Sequence, residues 1–197
     1  VDQFLALAPK SKSTKVSLST YLISKPSQGK KLLPGKLSGS DKVLGIAPGA
    51  EYGESKRWPI EYFADVANEA IQKGWVVISL GSTHDQDLGK TLDRLTKNKV
   101  INLIGKTKLE EVIDVMSLCQ TFLSNDSGLM HVAASLNIKQ VAIFGSSDPK
   151  KTPPLSRHAK LAYLDLSCSP CFERICPLQH TNCLKNIKPS EIIKKLI

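Results

Sequence analysis

From Val43 onward the chain alternates between two hydrophobic rhythms. Near-continuous apolar runs, "KVLGIAPG" (42–49), "WVVISLGS" (75–82), "VINLIG" (100–105), "TFLSND" (121–126) and "QVAIFGSS" (140–147), read as buried strands. Between them, over 59–74, 85–95, 108–119 and 128–137, apolar residues recur three and four positions apart, the spacing of amphipathic helices. In 108–119 this places Leu109, Val112, Ile113 and Met116 on one face. Pro59 suits a helix start and Gly74 a helix end. "KLAYLDL" (160–166) adds a sixth strand, and "PSEIIKKLI" (189–197) closes the chain as a helix. Apolar strands alternating with helices predict a parallel sheet covered on both faces, a Rossmann-like α/β domain over residues 43–197. Ligands of such sheets bind beyond the carboxyl ends of the strands, so the residues after each strand are the candidates for chemistry.

Residues 1–42 lack this rhythm. "VDQFLALA" has the pattern of a short helix, and the Ser, Lys, Pro and Gly that follow read as a linker. Because the chain starts at Val1, the expectation is a fragment or a processed product. The opening has no basic start and no cleavage site, and no stretch reaches membrane-spanning length, so a cytoplasmic location is expected. A net charge of +9 suits an anionic partner as well as a solvated surface. The basic residues are scattered and aromatics are only 6%, which argues against a nucleic-acid platform.

Three strand ends stand out. In "APGAEYGESKRWP" (47–59), Lys56 and Arg57 precede a helix start, where the helix dipole normally favours acids. Either they are solvated, or an anion sits between them. In "LGSTHDQD" (80–87), Gly81 and Ser82 can bring amides near a ligand, and Asp85 can accept from a ribose hydroxyl. Ser82, Thr83 and Asp85 equally suit a helix cap. In "SNDSGLMHVAASL" (124–136), Ser127 and Gly128 fall where a helix leaves its first amides unpaired, a setting for phosphate. Asp126 can order that loop, and His131 can donate to a phosphate oxygen or pack in the core. After the fifth strand, Gly145, Ser146, Ser147 and Thr152 offer further polar groups or plain turn chemistry.

Cys168, Cys171, Cys176 and Cys183 follow C-x2-C-x4-C-x6-C, with His180 inside. Four thiols this close suggest a structural zinc site; a reduced loop or disulfides are the alternatives. Cys119, at a helix end, reads as core.

"PGAEYGESKRWP", "SNDSGLMHVAASL", "VAIFGSSDPKKTPP" and "CSPCFERICPLQHTNCLKNI" together resemble the carboxyl-terminal half of the heptosyltransferases of glycosyltransferase family nine. The resemblance implies a GT-B enzyme of two Rossmann-like domains, of which residues 43–197 are the donor-binding one. It implies an ADP-heptose donor and a lipopolysaccharide-core acceptor, with inverting transfer, no required cofactor, and peripheral contact with the inner membrane. It implies that Lys56 meets the donor diphosphate, that Asp126, Ser127, Gly128 and His131 form the surrounding loop and helix start, and that Met130 lies near the adenine or, equally, packs in the core. The acceptor domain and its catalytic base have no match, so 1–42 reads as the remnant of a missing amino-terminal domain. A non-catalytic nucleotide-binding remnant, stapled by zinc, is the alternative.

Overall fold

A computed structural model describes residues 22–197 apart from Pro34, Lys36 and Gly39. The helix expected in 1–8, and half of the expected linker, lie outside the described residues. The six apolar runs form one sheet: β1 (Val43–Ala47), β2 (Val76–Ser79), β3 (Ile101–Asn102), β4 (Thr121–Asn125), β5 (Lys139–Ile143) and β6 (Ala159–Ala162). Their order is β3-β2-β1-β4-β5-β6, and every pairing is parallel.

Alternation along each strand divides the core between the two faces. Leu44 and Ile46 pack with Phe63, Val66, Leu92 and Ile192. These partners come from α2 (Ile60–Gln72), α3 (Gln86–Leu95) and α7 (Pro189–Leu196). Val43 and Ala47 pack on the other face with Val115, Met116, Phe122 and Ala133, from α4 (Leu109–Met116), β4 and α5 (Gly128–Ser135). Each large side chain so buried contributes about 1.5–3 kcal/mol, which is why these strands are apolar throughout. Pro59 precedes α2, and Gly74 ends it with a left-handed φ of 78°.

Three elements differ from the sequence expectation. First, 26–31, expected to be linker, is a helix, α1 (Pro26–Lys31). It lies so close to α4 that a Cβ on Gly29 meets the Asp114 carbonyl, while the Lys25 amide donates to Asp114 Oδ1 at 2.5 Å. Second, the third strand keeps only two residues. It is an edge strand, and after Leu103 N–H bonds Ser79 O the chain turns, with Asn102 Oδ1 accepting from the Ile104 amide. Third, the buried face of α4 is Val112, Val115 and Met116, while Leu109 is 65% exposed.

β1 connects toward β2 on one side of the sheet, and β4 toward β5 on the other. The reversal between β1 and β4 opens a crevice at their carboxyl ends, the position in which doubly wound sheets bind ligands.

Candidate functional site

The chain leaving β1 forms a 3-10 turn, Glu54–Lys56, pinned on both sides. Trp58, 2% exposed, donates through Nε1 to Ile187 O at 3.0 Å and stacks edge-on against Phe63. Its amide donates to Asn125 Oδ1 at 3.0 Å, and Asn125 Nδ2 donates to Pro48 O at 2.7 Å. The end of β4 therefore fixes the loop after β1. This brings Lys56 Nζ to 2.5 Å from Asp126 Oδ2, an oxygen that also accepts from Ser147 Oγ at 2.5 Å. Arg57 stands 3.9 Å from Asp85 Oδ1. The two cations before α2 thus face carboxylates of the protein itself. Neither is left alone at the helix start, so the charge pattern by itself does not call for an external anion.

Next to this pair α5 begins. Ser127 is its N-cap residue in extended conformation, and its side chain makes no cap bond. The first amides of α5 have no intrahelical acceptor, and nothing lies within 4 Å of a Cβ placed on Gly128. Ser127 and Gly128 line a cavity of about 520 Å³. Its other walls include Ala47 at the end of β1 and Gly49 beyond it, Leu80, Gly81 and Ser82 after β2, and Leu109, Val112, Leu129 and Val132 from α4 and α5. An apolar hollow with a few converging polar groups is the general form of a small-molecule site.

Asp85 satisfies both readings of its position. Its Oδ2 accepts from the Ser82 amide and hydroxyl at 2.9 and 2.8 Å, closing a capping box, and the residue also lines the cavity. A Cβ on Gly49 would overlap the Asp85 carboxylate, so only glycine lets the β1 loop pass there. His131 is exposed on α5, not in the core, and does not line the cavity; Lys56 does not line it either. Of the two readings of Met130, the core one matches its position. It is fully buried against Ala142 and Phe144, because this position of α5 faces the sheet. Thr107, which sequence reasoning passed over, has a buried Oγ1 with no hydrogen-bond partner among the described residues, and it lines the cavity. Its place just before a helix looks like ordinary capping, so only its unpartnered hydroxyl marks it.

The residues after β5 act as a buttress. Ser146 Oγ lies 3.0 Å from Ser55 Oγ, Ser146 O accepts from the Phe172 amide at 2.7 Å, and Gly145 O accepts from Ser169 Oγ at 2.7 Å. Thr152 is exposed. The cysteines are all free thiols. Amides, that of Thr181 foremost, hold the Cys176 thiol below its usual range; burial, then the neighbouring thiols, push Cys183 above it. Burial pushes Cys119 up to about 12. Among the described residues no helix is long and apolar enough to cross a membrane.

Residues 3–182 match the profile of glycosyltransferase family 9 (heptosyltransferase). Lipooligosaccharide heptosyltransferase 2 of Campylobacter jejuni (serotype O:6) is 38% identical over 164 residues, 81% of this chain and 52% of that protein. The structure of Escherichia coli ADP-heptose LPS heptosyltransferase II superposes with a TM-score of 0.75 at 30% identity, over 89% of this chain and 51% of that one. A family 9 glycosyl transferase from Veillonella parvula superposes at 0.82 with 25% identity, over 98% and 56%. The chain therefore spans about half the length of the relatives it matches. With a match over nearly its whole length and the same parallel fold, the chain belongs to glycosyltransferase family 9, the heptosyltransferases.

Proposed function

We propose that the chain is the donor-binding half of an inverting heptosyltransferase that takes heptose from ADP-heptose to the lipopolysaccharide inner core. The observation that carries this reading is the cavity of about 520 Å³ opening on Ser127 and Gly128 at the strand-order reversal. The nucleoside occupies the hollow between Leu80, Leu109, Val112, Leu129 and Val132, with Asp85 and Thr107 facing its hydroxyls. The diphosphate lies across the first amides of α5, where amides and dipole favour an anion. Lys56, held beside the turn by Asp126, shares its ammonium with the phosphates, and His131 donates from the exposed side of α5.

In the transfer, an acceptor hydroxyl oxygen bonds to the anomeric carbon as the bond from that carbon to the diphosphate breaks. The electron pair leaves with ADP, and a general base takes the hydroxyl proton. The amides and Lys56 stabilise the charge growing on the departing diphosphate. The base and the acceptor site belong to the other half of the enzyme, and no cofactor is required. Peripheral contact with an anionic membrane is part of this reading, supported by the net charge of +9 and by exposed Phe172, Ile175 and Leu178 beside Lys151 and Arg174.

Calorimetric titration with ADP tests the reading. Losing one charged hydrogen bond in Lys56→Ala or His131→Ala weakens binding about 10- to 150-fold. Unchanged affinity in both variants removes the site. Heptose transfer by the isolated chain would contradict the assignment of the base to the other half. Binding without transfer after that half is supplied would favour a non-catalytic nucleotide-binding remnant.

A further inference from the structure

Outside this cleft, the densest group of reactive side chains is the loop between β6 and α6 (Asn182–Lys185). Cys168, Cys171, Cys176 and Cys183 all line one small hollow of about 20 Å³, with Ser55, Ser146 and His180. That is room for a single ion or water. No lysine or arginine lines it, so no cation of the protein competes for the thiolates. Gln179 and Thr181 hold left-handed backbone, φ 56° and 50°, and the Gln179 amide donates to Cys176 O at 3.0 Å, so the loop is tightly turned beside the thiols. His180 Nδ1 is already taken by the Asn182 amide at 3.0 Å, which leaves sulfur as the main donor type.

We propose that these four thiolates form a tetrahedral site for one thiophilic divalent cation, zinc. Sulfur donors in this number select zinc over calcium or magnesium. Among the described residues no group of three such side chains is arranged to hold a metal ion as it stands, so binding requires the thiols to move. One χ1 step moves a thiol sulfur by about 3 Å, and rotamer changes of this kind at the four cysteines are what the proposal requires. The metal staples a loop that supports the site. Phe172 O accepts from Tyr52 OH at 2.5 Å, Arg174 O accepts from the Ser55 amide at 3.1 Å, and Glu173 O accepts from Ser55 Oγ. Ser55 immediately precedes Lys56, so the staple is a positioning device for the Lys56 turn.

The test uses the 197-residue chain purified under reducing conditions and equilibrated with zinc. Elemental analysis after gel filtration is expected to give about one zinc per chain, falling below about 0.1 in Cys171→Ser/Cys176→Ser and unchanged in Cys119→Ser. Should the double variant fail to fold, cobalt substitution of the unaltered chain gives an independent answer. A tetrathiolate site shows thiolate-to-cobalt charge-transfer absorption and the strong visible bands of tetrahedral cobalt. Zinc well below one per chain, zinc retained by the double variant, cobalt without sulfur absorption, or disulfides among the four in the reduced preparation each overturn the proposal.

Discussion

Replacing Gly128 by alanine adds one methyl group at the spot where the proposed diphosphate approaches the backbone. Nothing lies within 4 Å of that methyl position, so the folded chain accommodates it without a clash. Gly128 is the first residue of α5, and alanine there costs no stability and gains at most about 1 kcal/mol in helix propensity. For a chain of this size that is a rise of no more than about 2–4 °C in Tm. Binding should respond in the opposite direction. A methyl that keeps a phosphate oxygen off one amide removes a hydrogen bond to a charged group, worth about 1.5–3 kcal/mol. ADP affinity should then fall about 10- to 150-fold while thermal stability holds or rises. Calorimetry for Kd and a thermal melt on the same sample measure both. An alanine variant that melts normally and binds ADP within about twofold of the unaltered chain would refute the argument, because the diphosphate would then not reach α5.

Lys56→Ala leaves the Asp126 carboxylate, 6% exposed, with only Ser147 to donate to it, so urea unfolding should show a loss of about 1–3 kcal/mol, largely recovered by adding Asp126→Asn. Gly29→Ala forces a methyl into the Asp114 carbonyl and should cost about 1–3 kcal/mol, with amide exchange faster in α1 than elsewhere; unchanged exchange there would argue against the α1–α4 contact. Cys119 holds its proton to about pH 12 when folded, whereas an unfolded thiol titrates near 8.5. Its stabilisation is therefore full below about pH 8.5 and lost as the pH rises toward 12, so unfolding midpoints should decline less in alkali for Cys119→Ala than for the unaltered chain.

The sheet was legible in the sequence because strands buried on both faces have no polar side to show: Leu44 and Ile46 meet one core, Val43 and Ala47 the other. Pro59 and Gly74 marked α2 for the same local reason that they bound it. Helix α1 was not legible. Its sequence, PSQGKK, has no apolar rhythm, and it packs through the missing side chain of Gly29. Strand ends drew attention to Ser127, Gly128 and Asp85, which do line one cavity. The apolar walls of that cavity were hidden, since Leu109 and Val132 look like core positions on any amphipathic helix. The partners of Lys56 and Arg57 were also invisible, because Asp126 and Asp85 reach them only through the fold.

Amide chemical shifts of the labelled chain, followed as ADP is added, probe the phosphate-gripping claim at the atoms concerned. The largest saturable shifts should fall on Ser127, Gly128 and Leu129, with a second group at Gly81 and Ser82. Saturation with those amides unmoved and the shifts centred elsewhere, or no shift at any attainable ADP concentration, would contradict it.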